Sequence, residues 1–226
     1  VDEHAILSGY DIWASSYDDR DPSTWLDEPF LLAQLKPFPG CRILDVGCGT
    51  GRYLRRLASG IYHIVAADVS QGMLTRARRE TDGGSHISWV QASATSLPFL
   101  PQSFDRIMSG LVLDHIPNVE ELFSQISLVL RANGRAIVAG VHPEMQRLTG
   151  PEIEVATNMG RVKLTGHIHE VSDLVAAAHR AQLEVDAIDE PSVTQGMVDQ
   201  RPGWKLKLGC PALVLLGLQH ARHVPT

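Results

Sequence analysis

Short apolar runs at 43–46, 62–67, 87–91 and 104–109 each end in a Gly, Asp or Ser cluster, and most lead into an amphipathic stretch. Runs of that length without strict alternation suit strands buried on both faces of a parallel sheet. Helical periodicity fills the gaps. Leu54, Leu57 and Ala58 share a face over 52–59, and Ser70 stands where an N-cap would open a helix through Glu80. Asn118 with Glu121 reads as a capping box ahead of the stripe Leu122, Ile126, Val129 and Leu130. Arg131-Ala-Asn-Gly134 reads as the stop before a fifth strand over 135–141. A late helix through Leu174, Ala178 and Ala181, and apolar runs at 183–189 and 212–219, bring the count to seven strands. The pattern predicts an α/β, Rossmann-like doubly wound sheet, mostly parallel, with helices on both faces. Two stretches break the rhythm. Residues 1–40 are rich in aromatics, with Tyr10, Trp13 and Tyr17 on one helical face; residues 144–168 carry turn signals around an alternating run, as a short hairpin would.

The chain has 226 residues and 44% hydrophobic content, enough for one sizeable domain spanning 1–226. A formal net charge of −6 argues against a nucleic-acid footprint, which needs a basic face. The one basic cluster, Arg76-Ala-Arg-Arg79, reads as a solvated helix face. Three cysteines without C-x-x-C spacing suit a reduced, cytoplasmic protein. The late apolar run at 212–218 is strand-length, far short of a bilayer span.

The stretch Ile43-Leu-Asp-Val-Gly-Cys-Gly-Thr-Gly51 is a strand turning into a helix through a glycine loop. A dinucleotide site would show G-x-G-x-x-G, but the spacing here is G-x-G-x-G. Asp45, two residues before the first glycine, would also set a carboxylate near two phosphates. A ligand with a cationic end fits better, and S-adenosylmethionine (SAM) carries an ammonium and a sulfonium. No Gly-Lys-Ser/Thr follows, so a P-loop is excluded. Asp68, closing the second strand, is placed to accept hydrogen bonds from a ribose diol.

Residues 43–51 resemble the first motif of class I SAM-dependent methyltransferases, in the small-molecule branch that includes the ubiquinone/menaquinone-type, methyltransferase-11-like enzymes, and further matches run through nearly the whole chain. The resemblance implies an antiparallel last strand and a cofactor shell of Tyr17, Asp45, Gly47, Cys48, Gly49, Gly51, Asp68, Val69, Met73, Ser93, Ala94 and Ser109. Tyr17 would meet the methionine end of SAM, while Val69 and Met73 would sandwich the adenine. Ser93 departs from the pattern, because similar enzymes usually have an Asp there. Residues 1–40 would form a helical lid and 144–168 a substrate lid, with Tyr10, Trp13, Trp25 and Met145 facing the acceptor.

Methyl transfer from a sulfonium asks the protein mainly to position a nucleophile and remove its proton. His115, His142 and His169, each expected at the pocket end, are the candidate bases, since an imidazole near neutral pKa suits that task. Each could equally be structural. His167 and His169 point the same way on an extended strand, but without an obvious third ligand no metal is expected. The expected activity is SAM-dependent methylation of O, N or C of a small, partly apolar metabolite by a monomer or homodimer, releasing S-adenosylhomocysteine. A non-methylating cyclase on the same fold and a non-catalytic scaffold are the alternatives.

Overall fold

The computed structural model describes residues 9–19, 26–81, 86–150, 152–157, 160–200 and 202–221. Seven strands form one sheet in the order β3-β2-β1-β4-β5-β9-β8, built from β1 (Arg42–Val46), β2 (His63–Asp68), β3 (Ile87–Gln91), β4 (Phe104–Gly110), β5 (Leu130–Val141), β8 (Leu183–Asp189) and β9 (Leu213–His220). The pairs from β3 to β5 are parallel, and β9 runs antiparallel to both its neighbours, as expected. The separate hairpin β6 (Glu152–Thr157) and β7 (Gly160–Thr165) accounts for the alternating run in the insertion.

Alternation along each strand feeds two cores, one per face. Leu44, Val46, Ile107 and Val138 pack with α5 (Val119–Val129) and α7 (Val171–Arg180). Ile43, Ile64, Met108 and Ile137 pack on the other face with α2 (Glu28–Leu35), α3 (Arg52–Leu57) and α4 (Gln71–Glu80). The remaining helices are α1 (9–13), continued by a 3-10 turn over Ala14–Asp19, α6 (Pro143–Thr149) and α8 (Gln195–Gln200). Strand order reverses between β1 and β4, and the crevice beyond their carboxyl ends is where such sheets bind ligands.

Local expectations meet three corrections. Arg131–Gly134 is a bulge rather than a plain stop, since Leu130 already pairs with Phe104 and pairing resumes at Arg135 with Arg106. The capping box is incomplete. Asn118 Oδ1 accepts from Glu120 N at 3.2 Å, but Glu121 takes the Asn118 side-chain amide at 3.1 Å rather than returning to its backbone N–H. Arg76 is also no solvated residue: it is 8% exposed, and its Nη1 donates to the Ala14 carbonyl at 2.6 Å while Nε meets Glu80 at 2.7 Å.

Arg76 thereby belongs to a clamp on the N-terminal segment. Asp18 accepts from Thr50 Oγ1 at 2.9 Å and faces Arg55 at 3.4 Å and Arg76 at 3.7 Å. Asp11 accepts from Ser70 Oγ at 2.5 Å and from Gly72 N at 2.8 Å. Arg76→Ala removes the guanidinium that joins the 3-10 turn to α4. It is expected to loosen residues 9–19 without unfolding the sheet, read as at least tenfold faster amide exchange there and unchanged exchange in β1 and β4.

Candidate active site

The β1–α3 loop builds the floor of the crevice. Gly47 has φ +71°, and a Cβ there would lie 2.3 Å from Val112 Cγ2, so only glycine lets this loop pass so close to the β4 loop. Gly47 N and Cys48 N both donate to the Ala67 carbonyl, tying the loop to the end of β2. From that end Asp68 reaches back: Oδ2 accepts from Gly49 N at 2.8 Å and Oδ1 from Ser70 N at 2.8 Å. Each carboxylate oxygen keeps a further lone pair, which is what a ribose diol requires.

The resulting cleft encloses about 750 Å³ including its mouth, and its walls are Tyr10, Tyr17, Gly47, Gly49, Asp68, Val69, Met73, Ala92, Ser93, Ala94, Gly110, Leu111, Val112, His115 and Ile116. Residues from the ends of four parallel strands thus meet the aromatic N-terminal segment around one space. Leu111 takes a left-handed backbone at φ +59° and donates its N–H to Ala139 at 2.8 Å. Such a conformation costs an L-residue about 1–2 kcal/mol, and nothing in a leucine codon-for-codon reading signals it.

Residues 44–138 match a family described as a methyltransferase domain. A demethylmenaquinone methyltransferase of Clavibacter sepedonicus is 37% identical over 138 residues. The chain is similar to methyltransferases over these residues, and its fold is that of solved S-adenosylmethionine-dependent methyltransferases. The alignment to that relative takes in 59% of this chain and 56% of the relative, so the chain spans little more than half the length of the curated relative it matches. Two solved structures share the fold. An S-adenosylmethionine-dependent methyltransferase from Mesorhizobium loti superposes with a TM-score of 0.71 at 23% identity, covering 86% of this chain and 97% of that one. The [4+2]-cyclase SpnF gives 0.72 at 16% identity, covering 95% of each.

Eight of the residues expected around the cofactor of this methyltransferase fold line the cleft: Tyr17, Gly47, Gly49, Asp68, Val69, Met73, Ser93 and Ala94. The other four stand behind it. Cys48 is core, Gly51 (φ +77°) opens α3, and Asp45 and Ser109 are fully buried beneath the loops. Neither Asp45 oxygen nor the Ser109 hydroxyl has a hydrogen-bond partner among the described residues. Burial pushes the Asp45 carboxyl up to about 8 against the pull of Arg52. Ser93 Oγ, the departure from the usual acid, is shared with Thr95 Oγ1 at 3.0 Å.

Of the expected acceptor-side residues, Tyr10 lines the cleft and Trp25 lies outside the described residues. Trp13 is not a wall. It stacks between Tyr10 (5.6 Å) and Tyr17 (4.5 Å) and packs on Leu164 of β7. Met145 is likewise displaced, because the turn of α6 points it into the core beside Leu213.

The three histidines separate. His115 lines the cleft. His142 does not: Nδ1 caps α6 by accepting from Glu144 N at 3.2 Å, and Nε2 donates to Glu190 at 2.8 Å. His169 donates Nε2 to the Ile116 carbonyl at 2.8 Å and holds the end of the 3-10 turn Leu113–His115 that follows β4. His167 stacks on His169 at 6.2 Å, and among the described residues no three ligating side chains are grouped to hold an ion.

Sequence reading missed two arrangements around this site. One is the Asp11 and Asp18 clamp. The other is a buried network in which Asp27 holds Arg52 through both oxygens (2.5 and 3.1 Å) and Tyr53 through its hydroxyl. Gly110 lies directly on that network, where a Cβ would be 1.7 Å from Tyr53 Oη.

Proposed function

We propose that this chain transfers a methyl group from SAM to oxygen, nitrogen or carbon of a small, partly apolar acceptor, with a histidine as general base, and that the base is His115. The observation carrying the proposal is the joining in one cleft of the Asp68 carboxylate, the close-passing glycine loop and His115. SAM, when bound, supplies an activated methyl on a sulfonium. Asp68 would hold its ribose diol, and Val69 and Met73 its adenine. The apolar wall of Leu111, Val112 and Ile116 favours an acceptor with an apolar body. The Clavibacter relative, named for demethylmenaquinone, supports a quinone-type acceptor. Residues 144–168 with the aromatic segment would cover it. No helix among the described residues is long and apolar enough to cross a membrane.

Calorimetric titration with SAM and S-adenosylhomocysteine tests the cofactor half. Saturable binding of both is expected, and no heat with either overturns the proposal. Release of S-adenosylhomocysteine with 1,4-naphthoquinol tests the acceptor half; SAM binding without release from any quinol or phenol moves the reading to a non-methylating enzyme such as the cyclase whose fold it shares.

The raised Asp45 pKa adds a pH prediction. A carboxyl at about 8 when folded, against its ordinary 3.8, binds more protons in the native than in the unfolded state across that interval. The ligand-free protein therefore loses the Asp45 contribution to stability as pH rises from about 4 to about 8. Thermal melts across that interval read the loss, and Asp45→Asn, which cannot ionise, should flatten the dependence.

A further inference from the structure

His115 does not face the open cleft with a free nitrogen. Its Nε2 lies 2.6 Å from the Tyr10 hydroxyl, with the rings edge to face at 5.2 Å, and its Nδ1 is buried with no partner among the described residues. Tyr10 itself cannot drift, since Asp11 beside it is fixed to Ser70 and Gly72 and its ring stacks on Trp13. An acceptor in the cleft can therefore exchange a proton with His115 only through the Tyr10 oxygen.

We propose that Tyr10 and His115 form a proton relay in which the Tyr10 hydroxyl meets a hydroxyl-bearing acceptor and His115 Nε2 receives the proton. The proposal rests on the methyl-transfer reading above. In the relay the acceptor O–H bond breaks and leaves its electron pair on the acceptor oxygen. That proton bonds to the Tyr10 oxygen as the Tyr10 proton passes to Nε2, giving an imidazolium with both ring nitrogens protonated. The pair left on the acceptor takes the methyl group, and the positive charge lost by the sulfonium is retained on His115, so the net charge of the site does not change.

Two further observations agree. Burial raises the Tyr10 hydroxyl well above its ordinary value, with Tyr17, Asp114 and Asp68 adding to the effect, and lowers His115 to about 4, with His167 adding to it. Both partners are thus neutral at rest, so the imidazole is free to take a proton when the acceptor arrives.

The test begins on the ligand-free protein. Nitrogen-15 NMR of labelled histidine, with His115 assigned by its loss in His115→Gln, should show Nδ1 protonated and Nε2 as a hydrogen-bonded acceptor. In Tyr10→Phe the Nε2 signal should move to that of an unbonded acceptor while SAM affinity stays within about threefold. With 1,4-naphthoquinol as probe, Tyr10→Phe and His115→Gln should each lower kcat about 100-fold, the range of a lost general base, and the double variant should lose no more. An Nε2 signal unmoved in Tyr10→Phe, or multiplicative losses in the double variant, overturns the relay. Wild-type protein that binds no SAM overturns the methyl-transfer reading instead and leaves the NMR result standing.

Discussion

Asp68→Ala should leave no measurable SAM binding in a titration that saturates for the wild type. The carboxylate does two jobs from one position: it accepts the Gly49 and Ser70 amides that shape the loop, and it offers the remaining lone pairs to the ribose. Hydrogen bonds to a charged group are worth about 1.5–3 kcal/mol each, so losing two to a ligand corresponds to at least 100-fold in Kd. Asp68→Asn separates the jobs. Its amide oxygen can still accept from one backbone N–H, so it should fold normally and recover only part of the affinity. Binding by Asp68→Ala within tenfold of wild type would remove Asp68 from the cofactor site.

Asp27→Ala should be the most damaging single change away from the cleft. Asp27 has no solvent exposure and Arg52 only 8%, and the substitution leaves the guanidinium buried without its counter-charge. Breaking such a pair from one side costs about 3–5 kcal/mol, here on the order of a 10 °C fall in Tm. Circular dichroism melts would show it, and a fall under 2 °C would mean that water or another group compensates Arg52. Replacing Asp27 and Arg52 together with Leu and Met should recover much of the loss, because the penalty comes from the orphaned charge rather than from the absence of the pair.

The parts of the fold that could be read in the chain are those where one residue type has one physical use. Ile43 to Val46 could hardly be other than a strand covered on both faces, and the glycines after it mark a backbone conformation other residues resist. Asp68 at a strand end, and Tyr10 and Tyr17 of the aromatic segment, likewise carried to the cleft. Illegible were residues whose partner lies far along the chain. Arg76 looks like its exposed neighbours Arg78 and Arg79, and the distant Ala14 carbonyl and Asp18 make it structural. His142 and His115 look alike too, each following a strand, yet a proline after His142 starts a helix that needs a cap, which consumes the imidazole. Met145 reads as a lid residue until the turn of α6 directs it inward.

The small apolar contact between Trp13 and Leu164 has a kinetic meaning. It joins the aromatic segment, which walls the cleft through Tyr10 and Tyr17, to the β6–β7 hairpin, in a cluster separate from both main cores. Were both elements covers, as proposed above, they would not swing independently. Acceptor entry and departure of a spent cofactor would then depend on the same opening, so the residence time of one ligand would set the waiting time of the other. Turnover would be governed by that shared opening rather than by the transfer itself.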